Sequence, residues 1–398
     1  MEKFSKYRDP ATGIQVFLTP VPPAGSSSAA TYLLSPLTLV LATLRAALLI
    51  LVAALWSLLS VTVGATSVSI RGGINSILGR ISLLALGFTS IQEEIVSLRS
   101  RGRASASAVI ESSRFDPKKG DVILCNWSSW VDVLYLASRF NPIFLQPIVT
   151  INSALEHAEA SSQSNSRSSA TRRKNATKGQ QYHDMSSHSQ PAEETKPPSE
   201  RLLGWKRATA LQMVAQAGQT PTAGDKSEAS ELEAILKQVD RPIVIFPELV
   251  TSNNRGILKF DTSVFPHSWR SLYKYTGALR MGKGQPNIFI MSIRHDAPTP
   301  LTPTSTLSVP STFASPLPHI LSMIATPSLT PRTLSVRKLV GDESPTSQTF
   351  VADAGASMQQ REGALVNKCA ELTSSLSRLR RTGLGWEDKE GFLSLYRR

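Results

Sequence analysis

Two short polar stretches carry the residue types from which reaction centres are built. Asn126-Trp127-Ser128-Ser129-Trp130-Val131-Asp132 follows the apolar run Val122–Cys125 directly, and Phe246-Pro247-Glu248-Leu249-Val250-Thr251-Ser252-Asn253-Asn254-Arg255-Gly256 follows Ile243–Ile245. Between them they hold carboxylates, hydroxyls and a guanidinium, the groups used for proton transfer and for holding anions. In α/β sheets ligands collect beyond the carboxyl ends of strands, so both stretches can face one cleft. Read singly, Asp132 is a helix-start carboxylate, Glu248 a surface charge and Arg255 a solvated cation; read together, they are the lining of a site. Cys125 beside the first stretch is an acyl-accepting thiol in one reading and a buried strand cysteine in the commoner one.

The elements that must position these residues alternate between strand and helix. Asp121–Cys125, Pro242–Phe246 and Asn287–Ile293 read as buried strands, and Trp130–Ala137 and Trp269–Leu279 as helices. Ser230 with Glu233 has the spacing of a capping box that opens a helix through Leu232, Ile235, Leu236 and Val239. Near-continuous apolar strands alternating with helices predict an α/β sheet covered on both faces. Residues 105–296 are assigned to this domain, with Ser153–Glu200, rich in Ser, Gln, Asn, Thr and charge, as a disordered insertion. Residues 297–333, rich in Pro, Ser and Thr, read as a linker, and 334–398 as a helical segment in which Leu365, Cys369, Leu372, Leu376 and Leu379 form one face.

Upstream, a segment over 1–35 precedes a membrane anchor over 36–70. Ala46–Val63 carries no charge, and at about 1.5 Å per residue it spans roughly 27 Å, close to a hydrocarbon core. Arg45 interrupts the longer apolar run and can snorkel to the headgroups. A buried core helix is the alternative. Residues 71–104 read as an amphipathic interfacial helix through Ile74, Ile77, Leu78, Ile81, Leu84, Phe88 and Ile91. Lys3, Lys6 and Arg8 lie on one side of the anchor and Arg71, Arg80, Arg99, Arg101 and Arg103 on the other, a balance that by the positive-inside rule favours a cytosolic downstream domain.

Composition sets outer limits. The chain has 398 residues with 43 Lys+Arg against 30 Asp+Glu, a formal charge of +13, and its two cysteines, Cys125 and Cys369, make neither a disulfide framework nor a CxxC metal site. No metal centre is expected. The positive balance calls for an anionic partner, either nucleic acid or membrane phosphate. No helix-turn-helix, zinc spacing or aromatic-interleaved basic sheet accompanies Arg172-Arg173-Lys174, so nucleic acid is not the expected partner.

The two polar stretches together resemble the glycerolipid acyltransferase (PlsC-type) family, whose blocks read NHxSxxD and, in some eukaryotic branches, FPEGTTSNGRG. The matching residues are Asn126, Ser129 and Asp132 in the first block, and Phe246, Pro247, Glu248, Thr251, Ser252, Asn253, Arg255 and Gly256 in the second. Met1-Glu2-Lys3-Phe4, Arg8-Asp9, Thr12-Gly13-Ile14 and the closing Glu387-Asp388-Lys389-Glu390-Gly391-Phe392 further resemble fungal lysophosphatidic acid acyltransferases of the oleoyl-CoA-using type. The resemblance implies a membrane-anchored acyltransferase-like sheet covered by helices. It implies acyl transfer from acyl-CoA to lysophosphatidic acid or a related lysophospholipid in phospholipid biosynthesis. The expected location is the endoplasmic reticulum membrane or lipid droplet surface, with no cofactor beyond the acyl-CoA donor. A family His removes the acceptor's hydroxyl proton, Asp132 orients that imidazole, and Glu248, Thr251, Ser252, Asn253 and Arg255 hold the phosphorylated acceptor.

The chain departs from this pattern at Trp127, which stands at the His position and has an indole that donates but cannot take a proton. Leu249 and Asn254 replace the two glycines of the second block; Asn tolerates a left-handed backbone and Leu does so poorly. Of six histidines, His157, His183 and His188 lie in or beside the insertion and His319 in the Pro-rich stretch, leaving His295 and His267 as substitute bases, with His295, just past a strand end, the better placed. The alternative to an active enzyme is a catalytically silent relative that binds lysophospholipid or acyl-CoA.

Overall fold

The computed structural model describes residues 3–22, 35–62, 68–98, 115–150, 202–279, 286–299, 302–311, 315–325, 332–350 and 363–397. The expected insertion at 153–200, with three of the histidines, lies outside the described residues, as do Arg99, Arg101 and Arg103. In chain order the elements are α1 (Ser35–Thr62), α2 (Val68–Ala85), β1 (Phe88–Val96), β2 (Val122–Cys125), α3 (Trp130–Phe140), β3 (Ile143–Val149) and β4 (Leu202–Ala208). Then come α4 (Ala210–Gln216), β5 (Thr222–Ala223), α5 (Leu232–Gln238), β6 (Ile243–Ile245), β7 (Gly256–Ile257), α6 (His267–Thr276) and β8 (Ile288–His295). The chain closes with α7 (Leu317–Ala325), β9 (Arg332–Leu339), α8 (Ala364–Ser377), β10 (Arg380–Arg381) and α9 (Trp386–Tyr396).

The protein is a mixed α/β structure around a parallel-rich sheet of order β1-β9-β8-β2-β6-β3-β4, with β5 added to β3 and a separate β7–β10 pair. β2 runs parallel to both β6 and β8, and β3 parallel to β6, whereas β4 and β9 are antiparallel to their inner neighbours. Every residue of β2 and β6 is buried, as strands covered on both faces require. Alternation along β2 splits the core: Ile123 and Cys125 pack with α1, α2, α3, α4 and α7, while Val122 and Leu124 pack with α5, α6, α8 and α9.

Several expected boundaries move. The helical pattern over 71–104 stops at Ala85, because Gly87 takes a left-handed φ of 91° and the chain from Phe88 becomes edge strand β1, paired with β9. The stretch 297–333 is not a plain linker: it contains α7, and Thr304, Ser305, Thr306, Leu307 and Ser308 are buried. The segment 334–398 is not purely helical, since β9 belongs to the main sheet and recruits sheet residues from beyond 105–296. The Ser230–Glu233 box does not form: Ser230 bridges to Trp205 through two backbone hydrogen bonds of 2.9 Å, and Glu233 binds Ser268. Residues near the N-terminus join the core through Val16 and Phe17, where Phe4, Tyr7 and Phe17 surround Phe392 of α9.

α2 docks on α3 at Gly79, where an added Cβ would stand 2.7 Å from the Ser138 Cβ. Gly79→Val is expected to lower stability by about 1–3 kcal/mol through overpacking, read as a fall in thermal unfolding temperature; Gly73→Ala, which meets nothing within 4 Å, serves as the helix-propensity control.

Candidate functional site

The first polar stretch forms the turn from β2 into α3. Ser129 is the N-cap: its Oγ accepts from the Val131 amide at 3.2 Å, and Asp132 answers by accepting from the Ser129 amide at 2.9 Å. The same Oδ2 accepts from the Ser128 amide at 2.9 Å and the Ser128 hydroxyl at 3.1 Å. Three donors and the positive end of a helix therefore surround a carboxylate with no exposed side-chain surface.

The remaining oxygen, Oδ1, meets His295 Nε2 at 2.6 Å, and the imidazole too has no exposed surface. Adjacent strands make this contact. Cys125 at the end of β2 pairs with Met291 of β8, and β8 continues to His295. Asn126 locks the two ends together, donating from Nδ2 to the Ile293 carbonyl at 3.0 Å and accepting from the Ile293 amide at 2.9 Å. Because a carboxylate accepts, Nε2 carries a proton, and Nδ1 faces the Ser305 hydroxyl at 2.9 Å.

Ser305 belongs to a segment laid across both polar stretches. Its carbonyl accepts from the Ser129 hydroxyl at 2.5 Å, and the Leu307 amide donates to the Ser128 carbonyl at 2.9 Å. The Leu307 carbonyl accepts from the Thr251 hydroxyl at 2.6 Å. The Trp130 indole donates to His319 Nδ1 at 2.9 Å, and His319 Nε2 donates to the Thr304 carbonyl at 3.0 Å.

The other expected residues divide sharply. Ser252 donates its amide to the Trp127 carbonyl at 2.9 Å, which joins the two stretches. Trp127 itself is a core residue, stacked on Phe246 with ring centroids 4.7 Å apart and its indole donating to the Ser129 carbonyl. Asn253 ties down the N-terminal segment, donating to the Gln15 and Leu18 carbonyls at 2.7 and 2.8 Å. Arg255 is exposed; Asn254 before it takes a left-handed φ of 61°, and the chain then enters β7. Leu249 also adopts a left-handed φ, 58°, a conformation in which a side chain is strained. His267 is exposed at the start of α6, and the Cys125 thiol is pushed well up, chiefly by burial.

Glu248 is sealed inside the protein rather than displayed on it, and neither carboxylate oxygen makes a hydrogen bond of normal geometry. Burial pushes its pKa well above the usual carboxylate range, against the pull of the Leu258 and Trp127 amides and the Lys389 charge. Lys389 of α9 reaches the same interior, donating to the Thr251 carbonyl at 2.8 Å and hydroxyl at 3.0 Å, and burial lowers its pKa to about 7. Sequence reasoning missed the roles of Ser305, Lys389 and Asn126; the closing Glu387–Phe392 string was the single signal pointing to Lys389. No family model, curated protein or solved structure matches the chain.

His319 gives the site a pH dependence. Burial lowers its pKa to about 4 from an ordinary 6.5, with the hydrogen bond to the Thr304 carbonyl opposing and the Arg332 charge reinforcing. Between those two values the unfolded chain takes up a proton that the folded site refuses, so stability falls as pH drops through this window. Wild type is expected to lose about 1–3 kcal/mol more than His319→Gln on acidification across it, measured by denaturant unfolding of both proteins at each pH.

Proposed function

We propose that this chain transfers an acyl group from acyl-CoA to the hydroxyl of lysophosphatidic acid or a related lysophospholipid at a membrane surface. In this reading His295 is the general base and Asp132 orients it. The observation that carries it is the 2.6 Å contact between His295 Nε2 and Asp132 Oδ1, with Nδ1 directed at a hydroxyl. The resemblance of the two polar stretches to the glycerolipid acyltransferases supplies the reaction class. The chemistry needs one base: Nδ1 takes the acceptor's hydroxyl proton, the alkoxide oxygen bonds to the thioester carbonyl carbon, the C–S bond breaks, and the proton passes to the departing thiolate. The Ser305 hydroxyl occupies the place where the acceptor hydroxyl has to stand, so the 302–311 segment withdraws for the substrate to reach Nδ1.

The membrane side of the proposal rests on α1. Leu39–Leu59 has mean hydropathy 2.4 and is 11% buried. Leu44, Leu48, Leu51, Leu55 and Leu58 are exposed, while Val52 and Trp56 pack on the helical layer. Leu317 and Leu321 of α7 and Ile77 and Leu84 of α2 add to the exposed apolar surface. Because α1 packs against both α2 and α7, it fits a helix lying in one leaflet as well as one crossing the bilayer. The endoplasmic reticulum or lipid droplet surface, with the sheet in the cytosol, is the matching location.

A second reading, a silent lysophospholipid or acyl-CoA binder, is favoured by the closed state of the site: His295 and Asp132 have no exposed surface and Ser305 fills the base. Incorporation of labelled acyl-CoA into lysophosphatidic acid by the purified full chain separates the two. His295→Ala and Asp132→Asn are each expected to lower turnover by about 10²–10⁴-fold with acyl-CoA binding retained, and Ser305→Ala to keep activity. An inert wild type that still binds acyl-CoA selects the silent reading.

A further inference from the structure

A cavity lies at the end of the sheet where the parallel strands β3 and β6 begin, away from the strand ends that carry the two polar stretches. Its volume is about 660 Å³, within the range of ligand sites, and its wall is divided by chemistry. Trp56 and Leu59 of α1 form an apolar side, and Arg71, Arg207 and Arg241 bring three guanidiniums from α2, β4 and the turn before β6. The one carboxylate on the wall is Asp240, which is exposed and pairs with Arg241 at 3.3 Å. The lining therefore holds an excess of positive charge.

The cationic side is built rather than incidental. Arg71 and Asn75 stand one turn apart on α2. The Asn75 side chain donates to Asn141 Oδ1 at 2.6 Å, and Arg241 Nη1 donates to the same oxygen at 3.1 Å. Gln238 accepts from Arg207 Nη2 at 3.1 Å. Arg241 is only 17% exposed, and its pKa is lowered chiefly by burial and further by the Arg71 charge, with Asp240 opposing. Two guanidiniums within electrostatic reach of each other in a half-buried hollow make a place for an anion, and guanidinium geometry suits phosphate oxygens.

We propose that this cavity binds the phosphate of a glycerophospholipid headgroup, with the lipid's chains running along Trp56 and Leu59 onto the exposed apolar face of α1. A free phosphate would meet the same three arginines; the apolar wall leading to a lipophilic helix favours the lipid. Tryptophan at the junction of apolar and charged surface is where membrane interfaces place it. The site is separate from His295 and Asp132, and it does not depend on acyl transfer.

The test uses the purified full chain with vesicles of phosphatidylcholine alone, vesicles also containing phosphatidic acid, and inorganic phosphate as a soluble probe. Wild type is expected to prefer the phosphatidic acid vesicles. Arg71→Gln and Arg241→Gln should each cut that preference by about fivefold, the ratio equivalent to about 1 kcal/mol per cationic side chain at an anionic surface. Arg380→Gln, an exposed arginine outside the cavity, should leave it unchanged. Arg207→Gln, whose side chain is exposed, keeps the measurement open if Arg241→Gln unfolds. An equal loss in Arg380→Gln and the cavity variants overturns the site in favour of diffuse charge. Thermal stabilisation of wild type, but not of the variants, by inorganic phosphate without any vesicle preference overturns the lipid source.

Discussion

A carboxylate removed from water has to be repaid in hydrogen bonds, and the environment of Asp132 is organised around that requirement. Oδ2 takes two backbone amides and a hydroxyl from the turn into α3, and Oδ1 takes the His295 N–H. Loss of any one partner leaves buried charge uncompensated, which is costly. The requirement fixes the neighbours in turn: α3 has to start at Ser129, β8 has to run beside β2 as far as His295, and the Asn126 bridge to Ile293 has to hold the two strand ends in register.

The second polar stretch is organised by a related constraint. Glu248 has its pKa pushed up by burial, and Lys389 spends its donors on Thr251 rather than on this carboxyl. Thr251 then binds three separate parts of the chain, Gly218, Leu307 and Lys389. The residues that resemble an acceptor-holding block thus work largely as structural joints: Thr251 to the cover and to α9, Ser252 to the first stretch, Asn253 to the N-terminal segment. Both chain ends reach this part of the core: Phe4, Tyr7 and Phe17 pack on Phe392 of α9, and Lys389 of the same helix binds Thr251.

Much of the scaffold was legible from pattern. The apolar runs before Asn126 and Phe246 are β2 and β6, the run ending at Ile293 lies within β8, and Trp130–Ala137 lies within α3, because burial on both faces and helical spacing leave local marks. The strand Phe88–Val96 was not legible, since its apolar residues also fit a helix and only pairing with β9 decides otherwise. The cover around Ser305 carried no mark at all, being a Pro-, Ser- and Thr-rich stretch whose burial comes from the surface it meets.

The sequence alone determined an α/β core, one long apolar helix and two polar turns at strand ends, because these depend on side-chain type and near-neighbour spacing. Tertiary structure decided that the imidazole beside Asp132 comes from His295, that Arg255 is exposed, that Glu248 is sealed, and that three arginines and Trp56 line one hollow. Those outcomes depend on strand order and on which distant segments bury one another, which no local spacing records.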